Sequence, residues 1–286
     1  MQGKIVVGTA NFSQKYGLNN SSLKKIEIRK IINFCKKKNL RFIDTAFDYK
    51  LKKIDFKNFK VITKIKLPEK KVINFIENLE NKSRKELKKF NLRSFYSILI
   101  HNFKDLNTTH GNRYLDTLKD LKKKGIVKKL GVSIYNEDEL VQTLKFFKPE
   151  IIQFPINIFN QNILSDKMIK YLKKNKILLQ ARSIFLQGFL LLKNHDNLSF
   201  TLRKQLIKNH KKFVDYCYKK KISQLEFCIY FIKSQKYIDL VTVGVEDQIQ
   251  IKDFINLTKK KNKIEYKKFN ITDKNLVDPR KWKKKN

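Results

Sequence analysis

The sequence predicts an α/β fold of the (β/α)8 class, a TIM barrel with a shortened second helix and a basic C-terminal tail. Three observations predict it. Eight short, apolar, β-branched runs punctuate the chain, amphipathic helical periodicity fills the gaps between them, and no GxGxxG turn follows an early run. Continuous apolar runs mark strands buried on both faces, as in a parallel sheet. Repeated strand–helix alternation closes such a sheet into a barrel, whereas a doubly wound open sheet usually carries the glycine-rich turn. A length of 286 residues suits one such barrel.

The strands are expected at Lys4–Gly8, Arg41–Ile43, Val61–Thr63, Phe95–Ile100, Lys129–Val132, Ile151–Phe154, Ile177–Gln180 and Leu240–Val243. Helical spacing joins Ile28, Ile31, Ile32 and Cys35. It recurs at Val72, Phe75, Ile76 and Leu79, and again at Leu140, Val141, Leu144 and Phe147. Asp138 and Asp247 stand where helix starts favour caps or acidic first turns. Gly125 follows a Lys-rich helix end, as a C′ glycine does. The gap between the second and third strands leaves room for one helical turn at most. The gap between the seventh and eighth is long, with helices expected near Leu202–Tyr218 and Ser223–Ser234. Residues 1–270 read as the barrel. Residues 271–286, ending PRKWKKKN, read as a basic and mobile tail.

The formal net charge is +39, carried mostly by Lys spread along the whole chain. Lys, Asn, Ile and Phe are abundant and Ala is almost absent, which reads as a compositional background. An even spread of solvated Lys argues against a specific nucleic-acid interface, although it attracts anions at long range. Cys35, Cys217 and Cys228 lie in apolar helical patterns without metal-ligand spacing, so they read as buried thiols in a reducing cytoplasm. No apolar run reaches the ~18 residues that span a membrane. The first residues run directly into KIVVGTA, a strand rather than a secretory signal.

Chemistry in a TIM barrel sits at the C-terminal strand ends. There the second strand delivers Asp44 and, five residues on, Tyr49; the third delivers Lys64; the fourth delivers His101. A tyrosine holds its proton at neutral pH and can donate it to a developing alkoxide. An ammonium about 4 Å away would favour the phenolate by roughly 4 kcal/mol at an effective dielectric of 20. A carboxylate keeps that ammonium charged, and an imidazole can donate to the carbonyl oxygen. His110, His195 and His210 read as solvent-exposed. Phe12, Tyr16, Phe103, Phe185 and Phe189 are candidate pocket aromatics. The chain has three alanines, Ala10, Ala46 and Ala181, all at strand ends within the same rim.

The segments GTANFSQKYG, FIDTAFDY, VITK, LIH, KKGIVKKLGVS, IIQFPIN, RSIFLQGFLL and VTVGVEDQIQI resemble, in order, the landmarks of aldo/keto reductases. The first and seventh look most like a bacterial subgroup linked to sugar or cell-surface polysaccharide metabolism. The resemblance implies a cytoplasmic carbonyl reductase using NADPH, less often NADH, with Asp44, Tyr49, Lys64 and His101 as its tetrad. It implies that Ser133 and Gln153 bond the nicotinamide amide. Arg182 would stack on the ring, and the loop carrying Ser183, Leu186 and Gly188 would wrap the pyrophosphate. The stretch after Gly244 would receive the adenosine end at a helix N-terminus.

Four positions depart from the family pattern: Ile134 replaces a common Asn, Arg182 an aromatic, Glu246 a basic residue, and Lys50 a glycine. Glu246 weakens the case for NADPH over NADH. The short region after Tyr49 keeps open a second reading, a catalytically weak cofactor-binding barrel acting as a sensor or subunit. A small carbonyl compound is the expected partner, with an anionic one favoured by the positive field.

Overall fold

A computed structural model describes residues 1–13, 17–18, 22–67, 75–195, 200–201, 204–260 and 264–284. Eight parallel strands close the barrel: β1 (Ile5–Gly8), β2 (Phe42–Asp44), β3 (Lys60–Ile65), β4 (Phe95–Ile100), β5 (Val127–Ser133), β6 (Ile151–Pro155), β7 (Leu178–Arg182) and β8 (Leu240–Gly244). Closure is made by β8, which pairs with β7 through Gln180↔Leu240 and with β1 through Gly8↔Gly244. All eight expected strands form, each within two residues of its expected bounds.

The helices are α1 (Lys25–Lys37), α2 (Phe75–Phe90), α3 (Gly111–Lys123), α4 (Glu137–Phe146), α5 (Asp166–Lys174), α6 (Lys204–Lys219), α7 (Gln224–Ser234), α8 (Gln248–Lys259) and the short α9 (Lys274–Val277). Ile28, Ile31, Ile32 and Cys35 of α1 are all buried, as their spacing predicts. On α4, Leu140 and Thr143 face inward while Val141 faces solvent, so the buried stripe is narrower than the apolar spacing predicts. Val72 lies outside the described residues. Asp247 caps α8 by accepting from the Gln250 amide, and Gly125 adopts φ +70° after α3. Between β2 and β3 the helical content is a single 3-10 turn, Phe47–Tyr49. It ends on Lys50 at φ 50° and ψ 38°, left-handed backbone where glycine costs nothing and lysine costs about 1–2 kcal/mol.

Two apolar clusters fill the fold. The larger packs helices against the outside of the barrel. The smaller joins Val6, Phe42, Ile62, Leu99, Ile151 and Leu240. These come from six different strands and meet only inside the barrel. Strand side chains alternate with period 2. Two residues beyond Phe42, Ile62, Ile151 and Leu240 come Asp44, Lys64, Gln153 and Thr242. The alternation therefore stacks a polar layer on an apolar plug, at the C-terminal mouth. Gly131 lets β5 and β6 close up: a Cβ there would stand 2.2 Å from the Ile151 carbonyl oxygen.

The C-terminal segment packs down rather than hanging free. Leu276 and Val277 are buried, and the Ile271 amide bonds the Phe159 carbonyl. Trp282 lies edge-on to Phe189, and Lys283–Lys284 pair antiparallel with Phe200–Thr201. His210, expected at the surface, is fully buried with Leu206, Phe213 and Cys217 on one stripe of α6. His195, also expected in solvent, is half-buried beside it, and His110 is half-buried before α3. The three cysteines are buried free thiols. Among the described residues, no helix is long and apolar enough to cross a membrane, and no cluster of metal-ligating side chains forms.

Candidate active site

The polar layer is a connected network. Lys64 Nζ donates to Asp44 Oδ1 at 2.5 Å and to the Thr45 carbonyl at 3.1 Å. Asp44 Oδ2 accepts from Gln153 Nε2 at 2.7 Å and from Gln180 Nε2 at 3.1 Å. Gln180 also reaches Thr242 Oγ1 at 2.7 Å. A β2 carboxylate touching β6 and β7 amides must reach across the barrel interior. Its ion pair with Lys64 is almost wholly buried. Such a pair is tolerated because every strong charge has a partner.

Above this layer opens a cleft of about 540 Å³. Asp44, Tyr49, Lys64 and His101 all border it, as do Ser133, Gln153, Arg182, Ser183, Gly188 and Gly244. The sequence therefore located one wall of one cleft. Leu186 is the exception. Its side chain is buried and faces a separate small cavity with Asn157 and Asn160, so only its backbone belongs to the strap over the cleft. The strap holds three consecutive left-handed residues, Leu186, Gln187 and Gly188, a conformation only glycine takes without strain. It is tied down by the Leu18 amide on the Gln187 carbonyl. Gln224 Nε2 donates to the carbonyls of Leu190 and Leu192.

Among the expected pocket aromatics, Phe185 borders the cleft, while Phe12, Phe103 and Phe189 are core residues. Tyr16 lies outside the described residues. Sequence reasoning missed Tyr135, Gln180 and Thr242. Gln180 and Thr242 carried a signal, polar side chains alternating within apolar strands; Tyr135 carried none.

The electrostatics differ from the expectation at Tyr49. Lys64 Nζ stands 5.7 Å from the centroid of the Tyr49 ring. Its charge is engaged by Asp44, whose carboxylate also faces the phenol. Burial, then Asp44, raises the Tyr49 pKa above the ordinary tyrosine range, while Arg182 pulls it down. The phenol therefore stays protonated in the free protein. His101 is held down to about 4 by burial, with Lys64 adding to the effect and Asp48 opposing it. It is neutral at neutral pH, and its buried Nδ1 has no partner among the described residues.

The cleft fits a nicotinamide dinucleotide. Gln153 gives its amide N–H to Asp44, leaving Oε1 buried with no partner among the described residues, an acceptor suited to a carboxamide. Ser133 lies on the adjacent strand in register with it. At the far end, Gly244 and Val245 lead to the N-terminus of α8, where N–H groups and the helix dipole favour phosphate.

The chain matches the aldo/keto reductase family over residues 4–274 and belongs to that family, a family of oxidoreductases. Among solved structures it is similar to the holo form of an aldo-keto reductase from Bacillus halodurans, with TM-score 0.69 and 11% identity over 93% of this chain and 90% of that one. It is also similar to an aldo-keto reductase from Bombyx mori in complex with NADP (TM-score 0.67, 16% identity, 93% and 89% covered). The glycerol dehydrogenase from Gluconobacter oxydans is a third (0.66, 16%, 93% and 89%). At such identities the likeness speaks for the fold. No curated protein sequence matches the chain.

Proposed function

We propose that this protein reduces an aldehyde or ketone with a nicotinamide dinucleotide, using Tyr49 as the proton donor. The observation that carries the reading is the sharing of one cleft by Tyr49, His101, the Asp44–Lys64 pair and the free Gln153 Oε1. Ser133 and Gln153 hold the carboxamide. The strap residues Ser183 and Gly188 cover the pyrophosphate, and Gly244 with the start of α8 takes the adenosine end. Arg182 borders the ring. A bound reduced cofactor supplies hydride to the carbonyl carbon.

Neutral His101 donates a hydrogen bond to the carbonyl oxygen and orients it. Tyr49 delivers its proton to that oxygen as negative charge grows there. General acid assistance of this kind gives about 10²–10⁴ in rate. Lys64, fixed by Asp44, and Arg182 favour the phenolate that remains. The NADP-bound relative speaks for NADPH, whereas Glu246, bordering the adenosine end, disfavours a 2′-phosphate and speaks for NADH. A sugar derivative is the substrate class that the sequence resemblance favours. The single 3-10 turn after β2 still delivers Tyr49 to the cleft, which favours an active reductase over a silent cofactor-binding barrel.

The test is a fluorescence titration with NADPH and NADH, followed by cofactor oxidation over an aldehyde panel. Saturable binding of one dinucleotide and turnover of at least one carbonyl are expected. Binding of neither dinucleotide overturns the reading.

A further inference from the structure

Two cations border the cleft with Tyr49 and a third stands behind them on Tyr135, and they are not equivalent. Lys64 is paired with Asp44 at 2.5 Å. Arg280 is paired with Asp278, its Nε and Nη2 reaching the carboxylate at 2.6–3.0 Å. Arg182 has no carboxylate partner among the described residues. Its polar contacts are two long ones, 3.4 Å each, to Ser183 Oγ and the Ile134 carbonyl. It is half-buried and lines the cleft with Tyr49 and His101. A guanidinium has five N–H donors in a planar fork. Most of this fork has no acceptor among the described residues.

The fold nevertheless fixes that fork in place. The Arg182 guanidinium carbon lies 4.3 Å from the centroid of Tyr135, and that of Arg280 lies 3.2 Å from the same centroid. Two planar groups so close to one ring overlap unless they take opposite faces, so Tyr135 is sandwiched between them. The C-terminal segment thus reaches the active mouth through a relay: Asp278 holds Arg280, Arg280 backs Tyr135, and Tyr135 presents Arg182. A half-buried charge without a counter-ion is costly unless an anion arrives to meet it.

We propose that Arg182 is the receptor for an oxyanion of the substrate, a carboxylate or phosphate carried a few bonds from the carbonyl that is reduced. The inference rests on the proposed reductase function and adds the chemical class of its substrate. Guanidinium forks bind carboxylate and phosphate bidentately. An anion clamped there places the carbonyl beside Tyr49 and His101. Tyr135 is a positioning residue for the clamp, and Arg280 acts through it.

The test is steady-state kinetics on matched carbonyl pairs with the preferred dinucleotide. Succinic semialdehyde is set against butanal, and glyceraldehyde 3-phosphate against glyceraldehyde. The readout is the ratio of kcat/KM, anionic over neutral, within each pair. In the natural protein at least one ratio is expected at about 10² or more, the scale of a charge-assisted pair. The pair that shows it separates a carboxylate from a phosphate substrate. Arg182→Gln should bring that ratio close to one, chiefly through KM. Arg182→Lys should lose about tenfold, because the charge stays and the fork goes; it serves where Arg182→Gln does not fold. Arg280→Gln should lower the same ratio by a smaller factor. Ratios near one in the natural protein, or a ratio that Arg182→Gln leaves unchanged, overturn the proposal while neutral turnover leaves the reductase reading intact. Absence of dinucleotide binding overturns both.

Discussion

His101 and His210 both titrate near 4, and both are pushed there chiefly by burial, yet their surroundings are opposites. His101 sits at the end of β4 on the wall of the cleft, with Nδ1 unpartnered among the described residues. His210 lies under the strap, fully buried, its Nδ1 2.9 Å from His195 Nε2 and its Nε2 3.3 Å from Gln224. Its ring lies 4.6 Å from that of Phe189 between centroids, tilted by 46°. A depressed pKa therefore marks a desolvated imidazole, not a catalytic one. Access to the cleft and a nitrogen left unused by the fold make the distinction, and the rest of the mouth follows the same logic. Asp44 and Lys64 are satisfied by one another and position; Tyr49, His101, Gln153 Oε1 and Arg182 keep capacity for a ligand.

The largest expected effect falls on the satisfied part. Lys64→Met leaves the buried Asp44 carboxylate without its cation, and removing one partner of a buried pair costs about 3–5 kcal/mol. Urea denaturation should show that loss together with loss of turnover. Unchanged stability would mean the pair is far better solvated than its burial indicates.

The next effect is a pH dependence of stability to which both imidazoles contribute. His210 has a folded pKa near 4 against 6.5 unfolded, so between these values the unfolded chain takes a proton that the fold refuses. Stability is complete above pH 6.5 and is lost as pH falls towards 4, by about 3 kcal/mol for this one group. His195 faces it and shares the proton balance. His101, lowered to the same value, adds a similar loss. Denaturation midpoints measured from pH 7 to pH 4 should follow the combined slope, and His210→Phe should remove about half of it. A slope left unchanged by the substitution would place its origin elsewhere.

A smaller and more diagnostic contrast comes from paired truncations. His101→Ala should lower kcat by about 10²-fold, the usual loss for one oxyanion donor, with the melting temperature nearly unchanged. His210→Ala should lower stability by about 1–3 kcal/mol, through the partners it strands, and keep kcat. The reverse pattern would break the distinction between the two sites.

Much of this was legible before any coordinates. The eight strands declared themselves because buried parallel strands are continuous apolar runs, and Asp44, Lys64 and His101 stood out as the polar residues that end them. The failures share one cause, contacts that sequence distance hides. Tyr135 and Arg280 meet across 145 positions of chain, and nothing local announces a stacked relay. The C-terminal residues looked loose because they are basic, yet Leu276, Val277 and Trp282 dock them. His210 was misplaced because a histidine in a Lys-rich helix reads as polar, although Leu206, Phe213 and Cys217 trace the buried stripe on which it lies. The tyrosine's acidity departs from the expectation because burial, which sequence spacing does not show, and the Asp44 carboxylate outweigh the cations beside the phenol.

Turnover by the Tyr49→Phe variant, measured beside its cofactor affinity, tests the proposed chemistry most directly. Removing only the phenolic oxygen should cut kcat by at least about 10² while the dissociation constant for the dinucleotide stays within about twofold. Turnover persisting near the natural rate would assign the proton to another donor and leave Tyr49 as part of the wall.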